Sequence, residues 1–192
     1  TNTTMNMDRL VIKQILGNEQ VTQYYVVSLI GKTLVLLIAP INTIVISYLT
    51  KRKERLTRSQ FGKAVLAGGG VSLVFFVACQ IGTPLFVWLF YRNLYESVKG
   101  IVTVVNLAQI LGLFSAFLFI LVLTFTDERW QLWIQLAHFC ILLVSSVLAA
   151  RAYGMMGFAI ASLGVNSLRV AAVVILGIVK AGKDKGDRNA DR

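Results

Sequence analysis

Arg169 stands deep inside an apolar run, in ASLGVNSLRVAAVVILGIVK. A guanidinium so far from water is costly, and charges at that depth face a bundle interior or a water-filled cavity rather than acyl chains. Ser162 and Asn166 precede it by seven and three residues, on the same helical face. Other polar residues recur at helical spacing in other apolar runs: Thr103, Asn106 and Gln109 in one, Gln131, Gln135 and His138 in another, with Gln80 alone in a third. Lys32 interrupts VVSLIGKTLVLLIAP, with Tyr25 and Ser28 on its face. These residue types suit the recognition of an anion. A guanidinium holds a phosphate through a fork of donors, and amides add neutral hydrogen bonds.

No Asp or Glu lies inside any of these runs; the nearest are Glu96, Asp127 and Glu128 at their ends. Lys32 and Arg169 are therefore expected to lack a carboxylate partner. Their counter-charge would come from another part of the protein or from a ligand. The candidate substrate-binding set is Arg169, Lys32, Asn166, Asn106, Gln109, Gln135 and His138. Plainer readings stand beside it. Lys32 can snorkel to the interface on its long stem. His138 reads more readily as a packed, hydrogen-bonded residue than as a proton carrier. The Asn and Gln rows can equally hold helices together.

Catalysis and metal binding find no parts here. The chain has one histidine, no GxSxG, HExxH or Walker pattern, and no His/Cys cluster. No catalytic residue, metal or cofactor is expected. GGG at 68–70 is not followed by GK[ST], so it reads as a close helix contact rather than a phosphate loop. Cys79 and Cys140 lie in apolar segments and read as buried free thiols.

The elements that must position these residues are membrane helices. The chain of 192 residues is 56% hydrophobic, only 15% charged, with a mean hydropathy of +0.71. Five runs, 24–49, 64–91, 99–125, 130–150 and 155–179, are long enough to span a bilayer, and lipid leaves their backbone no option but helix. Residues 5–16, MNMDRLVIKQIL, form a shorter helical pattern that reads as part of a sixth helix, and the start at Thr1 suggests a fragment. Pro40 and Pro84 fall within spans and should bend them. Within the last run, Gly157, Ala161 and Gly164 form a packing stripe beside the polar face.

Charge sets the expected topology. Six Lys/Arg lie in KRKERLTRSQFGK (51–63), one in DER (127–129) and five after Val179, against five on the opposite side: Arg9, Lys13, Arg92, Lys99 and Arg151. The richer side should be cytoplasmic, which puts the C-terminus inside. The net charge of +10 then reflects loops facing anionic membrane lipids rather than nucleic acid. Residues 1–182 read as one transmembrane lobe and 183–192 as a cytoplasmic charged tail.

YGMMGFAIASLGVNSLRV resembles the start of the last core helix in polysaccharide flippases of the multidrug/oligosaccharidyl-lipid/polysaccharide (MOP) superfamily. Tyr153, Gly154 and Gly157 match its Tyr-Gly-x-x-Gly turn, and Ala159 and Ala161 its small residues, while Phe158 stands where a small residue is common. LFVWLFYRNLYESVKGIVTVVNLAQI is similar to the end of one helix, an outer loop and the next helix of that family. In MDRLVIKQILGNEQVTQYYVVSLIGKTL, Asp8, Gly17 and Tyr24 or Tyr25 resemble the passage into its second half. The resemblance implies an all-α, polytopic transmembrane bundle, the C-terminal lobe of a fold like that of multidrug and toxin extruders, with five full spans and part of a sixth. It implies a Wzx-type flippase that moves undecaprenyl-pyrophosphate-linked oligosaccharide across the bacterial inner membrane by alternating access, for O-antigen, capsule or exopolysaccharide assembly. Its partners would be the N-terminal half of the same protein and polysaccharide polymerisation machinery. Arg169 and Lys32 would contact the pyrophosphate. A cation-coupled multidrug exporter of the same superfamily and a non-transporting membrane scaffold are the alternatives.

Overall fold

The computed structural model describes residues 2–51, 57–123, 126 and 128–183. Every regular element among them is an α-helix: α1 (Asn2–Leu16), α2 (Asn18–Lys51), α3 (Arg58–Phe90), α4 (Arg92–Val98), α5 (Val102–Leu123) and α6 (Glu128–Lys183). Three stretches, Arg58–Phe90, Val102–Leu123 and Leu132–Ala181, are long and apolar enough to cross a membrane. The chain has the make-up of an all-helical membrane protein. The first expected span lies within α2, the second and third correspond to α3 and α5, and the fourth and fifth share α6. The outer loop expected after the second span contains the short helix α4. Both α2 and α3 continue through their prolines, Pro40 and Pro84.

Gly154 explains how two expected spans share one helix. Its backbone, at φ 63° and ψ −146°, interrupts the helical path of α6. That region is open to glycine and costly for any residue with a Cβ. The arms on either side, 128–153 and 155–183, run antiparallel. His138 pairs with Asn166, and Gln135 with Arg169. Three steps back along one arm match three steps forward along the other, as a hairpin requires. Gly157 seats the turn, since a Cβ there would lie 2.2 Å from the Ala149 carbonyl oxygen. The expected packing stripe is corrected at Gly164, which is exposed and has no neighbour within 4 Å of a built Cβ.

A second hairpin closes the other flank. Gly17, at φ 92°, ends α1 and donates its N–H to the Lys13 carbonyl at 3.2 Å. This left-handed cap folds α1 back along α2. At the start of α3, Thr57 and Gln60 form a reciprocal capping box, each side chain bonding the other's backbone N–H. Further on, Gly68 admits the rings of Phe114 and Phe117 from α5. Only this member of the 68–70 glycine run takes so close a neighbour, and Gly70 meets nothing within 4 Å.

Apolar packing gathers in two separate layers. The first joins Val11, Ile12, Tyr24, Val27, Val87, Val102, Val105 and Phe158 near the Gly17 and Gly154 turns. The second joins Phe61, Leu118, Leu121, Val122 and Val173 at the opposite end. There the ring of Phe61 fills the space where Gly177 has no side chain, and Lys180 lies over the Trp130 ring at 5.8 Å. The start of α3 and both ends of α6 therefore share one end of the bundle. Arg58, Lys63 and Lys180 of the basic segments counted above belong to that end, and residues 52–56 and 184–192 lie outside the described residues. Cys79 is buried as expected, whereas Cys140 is exposed on the outer side of α6, which corrects the reading of two buried thiols; both are free.

The hairpin makes a direct prediction. Gly154→Ala should destabilise the bundle by roughly 1–3 kcal/mol, the cost of holding a Cβ in that backbone region. Gly164→Ala, inside a helix and facing open space, should instead stabilise by up to about 1 kcal/mol. Thermal unfolding of the two variants in detergent, followed by circular dichroism, checks the contrast.

Candidate functional site

Between the two apolar layers lies a polar one, built from α3, α5 and both arms of α6. Asn106 anchors it on the α3 side and is fully buried. Its amide nitrogen donates to the Cys79 carbonyl at 3.1 Å and to Gln80 Oε1 at 3.0 Å. Its carbonyl oxygen accepts from the Thr83 hydroxyl at 3.2 Å. Gln80 in turn donates to the Thr103 hydroxyl at 2.9 Å. This network exhausts most of the hydrogen-bonding capacity of Asn106 between two helices, as buried polar groups require.

Asn166 anchors the other side. It donates to the Ala108 carbonyl of α5 at 2.8 Å, which fixes the orientation of its amide. The carbonyl oxygen then faces His138 Nε2 at 3.2 Å. An amide oxygen only accepts, so Nε2 carries the proton and Nδ1 is the free acceptor. Nδ1 is buried and has no hydrogen-bond partner. One helical turn away, Arg169 donates from a terminal nitrogen to Gln135 Oε1 at 2.9 Å. Its guanidinium also lies 5.4 Å from the centre of the Phe119 ring. Such a cation–ring contact gains strength away from water. The Arg169 Nε is buried without a partner, and among the described residues no carboxylate pairs with this arginine.

Gln109 completes the layer. It points at α2, where Gly31 leaves room for it: a Cβ on Gly31 would lie 1.9 Å from Gln109 Oε1. Both polar atoms of Gln109 are buried and lack a hydrogen bond. Three candidates thus keep unspent polar capacity in the interior: Gln109, His138 at Nδ1 and Arg169 at Nε. Asn106, Asn166 and Gln135 are committed to neighbouring helices. The side chain of Gln131 lies outside the described residues.

Lys32 corrects the expectation from the acid count. Its ammonium forms an ion pair with Asp8 at 2.6 Å, with both side chains mostly buried. Counting acids only within the long apolar runs missed this partner, because Asp8 sits on α1 and reaches Lys32 when α1 folds back on α2. The second oxygen of Asp8 accepts the Arg9 backbone N–H at 2.8 Å, and the Arg9 guanidinium lies 4.1 Å from the Tyr25 ring centre. The Tyr24 ring meets Phe158 edge-on at 5.2 Å, tying this corner to α6. Lys32 is therefore a paired cation at the α1–α2 hairpin, separate from the Arg169 cluster. The spacing of Gln80 and Thr83 on α3 against Thr103 and Asn106 on α5 was the legible signal for the rest of the layer; Thr83 was not singled out.

At the end of α4, Lys99 donates to the Glu96 carboxylate, which holds its ammonium above the usual lysine range. Both groups are exposed, so the pair adds little to stability.

Comparison with family models, with curated proteins and with solved structures gave no match.

The Asp8–Lys32 pair predicts a specific coupling. Asp8→Asn and Lys32→Met should each destabilise the chain, and the double variant should lose less than the two losses combined. A coupling of about 0.5–3 kcal/mol is expected for residues in direct contact. A double-mutant cycle on detergent unfolding midpoints measures it.

Proposed function

We propose that this chain is a helical lobe of a membrane transporter that handles an anionic, lipid-linked substrate. The observation that carries the reading is Arg169. It is a guanidinium held midway along an arm of the α6 hairpin, with a buried unpartnered Nε and no carboxylate beside it among the described residues. Keeping a charge at such a depth is expensive, and a counter-ion that arrives with a substrate offsets the cost. A pyrophosphate suits the guanidinium geometry. The hydroxyls and amides of an oligosaccharide suit the remaining polar capacity at Gln109 and His138.

On this reading the five expected spans, counting the two arms of α6 separately, cross the bacterial inner membrane, with the basic end of the bundle and the C-terminus in the cytoplasm. The resemblance to Wzx-type flippases of the MOP superfamily supplies the specific substrate, an undecaprenyl-pyrophosphate-linked oligosaccharide. Alternating access against a second lobe would move the head group for surface polysaccharide assembly. The chemistry is displacement rather than bond-making, so the chain acts as a transporter and not as an enzyme.

A scaffold reading draws on a different observation. Asn106 and Asn166 spend their amides between helices, as they would in a bundle that only holds itself together. The two readings part at Arg169. In cells whose surface polysaccharide depends on this gene, Arg169→Ala at normal protein level should abolish the polysaccharide, and Arg169→Lys should retain part of it. Full polysaccharide in the alanine variant removes Arg169 from the mechanism and leaves the scaffold reading ahead.

A further inference from the structure

His138 sits beside Arg169 in an arrangement that couples a proton to the anion. Its 7% exposure leaves it almost wholly inside the bundle. The Asn166 amide, locked by its bond to the Ala108 carbonyl, keeps the proton on Nε2 and leaves Nδ1 as a buried acceptor with nothing donating to it. The His138–Asn166 and Gln135–Arg169 pairs bridge the same two arms three residues apart, so the imidazole and the guanidinium lie about one turn, roughly 5 Å, from each other along the hairpin.

The charged surroundings are one-sided. α5, which packs against both arms, carries no titratable side chain over Val102–Leu123. The facing arm contributes Arg169; its next titratable group, Lys180, lies at the far end over Trp130. On its own arm, Cys140 is exposed, and Arg151 and Tyr153 are exposed beside the Gly154 turn. α3 contributes the Cys79 thiol, whose backbone carbonyl accepts from Asn106 of α5, and carries Arg58 and Lys63 near its start. α1 carries Asp8, Arg9 and Lys13 near the Gly17 turn, with Asp8 held by Lys32. Protonating Nδ1 would thus put a second buried cation next to Arg169, with no carboxylate among the described residues to balance the two. An anion on the guanidinium reverses that balance.

We infer that His138 and Arg169 form one linked site, in which binding of a phosphate-type anion is accompanied by uptake of one proton onto His138 Nδ1. The inference rests on the transporter reading above. The proton comes from water, Nε2 keeps its own proton and its bond to Asn166, and no covalent step is involved. Linkage makes the effect reciprocal: anion affinity strengthens as pH falls, by up to about tenfold per pH unit across the histidine titration.

His138 is the one histidine of the chain, so histidine-selective isotope labelling gives a single imidazole signal. The full chain in lipid nanodiscs is titrated with inorganic pyrophosphate at fixed pH near neutrality, against chloride at matched ionic strength. Calorimetry scores the binding separately. Without the probe the neutral imidazole should be the Nε2–H form. With it, the protonated fraction should rise severalfold, and Arg169→Gln should lose both the binding and the rise. Pyrophosphate binding that leaves the imidazole signal unmoved, or a neutral form protonated on Nδ1, overturns the inference while the transporter reading stands. An absence of pyrophosphate binding overturns both.

Discussion

Asn166 joins three helical segments through one amide. Its nitrogen takes the Ala108 carbonyl of α5, and its oxygen takes His138 of the opposite arm of α6. In an apolar surrounding such a group has no water to fall back on, so losing either partner would strand a buried donor or acceptor. That constraint fixes the register of the α6 hairpin. With Asn166 opposite His138, Arg169 must fall opposite Gln135. The same amide brings the hairpin against Gly112, which has no side chain to hold it off. Asn106 repeats the device between α3 and α5. The bundle is thus set by a polar middle layer, with apolar layers on either side adding cohesion but little directional information.

This arrangement separates two cations that look alike in the sequence. Both Lys32 and Arg169 interrupt apolar runs, and both lack an acidic neighbour in their own segment. Lys32 gains Asp8 because the Gly17 turn reverses the chain and lays α1 alongside α2. Arg169 gains an amide oxygen and an aromatic face but, among the described residues, no carboxylate, and its Nε stays without a partner. A charge left un-neutralised in the interior is the feature on which the transport reading depends. Beside it, the imidazole is oriented by the Asn166 amide rather than by a carboxylate.

Much of this was legible from residue spacing. Periodic Asn, Gln and His residues identified the inward faces of the helices. The Tyr153–Gly154 turn marked the reversal before the last arm, and the apolar runs gave the long helices. Contacts set by the return path of a segment were not legible. The Asp8–Lys32 pair spans 24 residues and needs the geometry of the Gly17 cap. The side on which a small residue faces was also hidden. Gly157 and Gly164 sit on one stripe in sequence, yet one touches the Ala149 backbone and the other faces open space. Likewise, nothing in the apolar surroundings of Cys140 distinguishes an outward thiol from a buried one. Faces of a helix can be counted along a chain, but which face meets a neighbour depends on how the helices dock.

The central claim is that the head of Arg169 borders a polar site inside the bundle that water and anions can reach. The most direct measurement places a cysteine there, as Arg169→Cys in a Cys79→Ser background, and treats intact membranes with a charged, water-soluble thiol reagent. The exposed Cys140 of the same helix serves as the reference on the same molecule. The account predicts that position 169 is modified, that pyrophosphate slows its modification, and that Cys140 stays unreacted. A cysteine at position 169 as inert as Cys140 would contradict it.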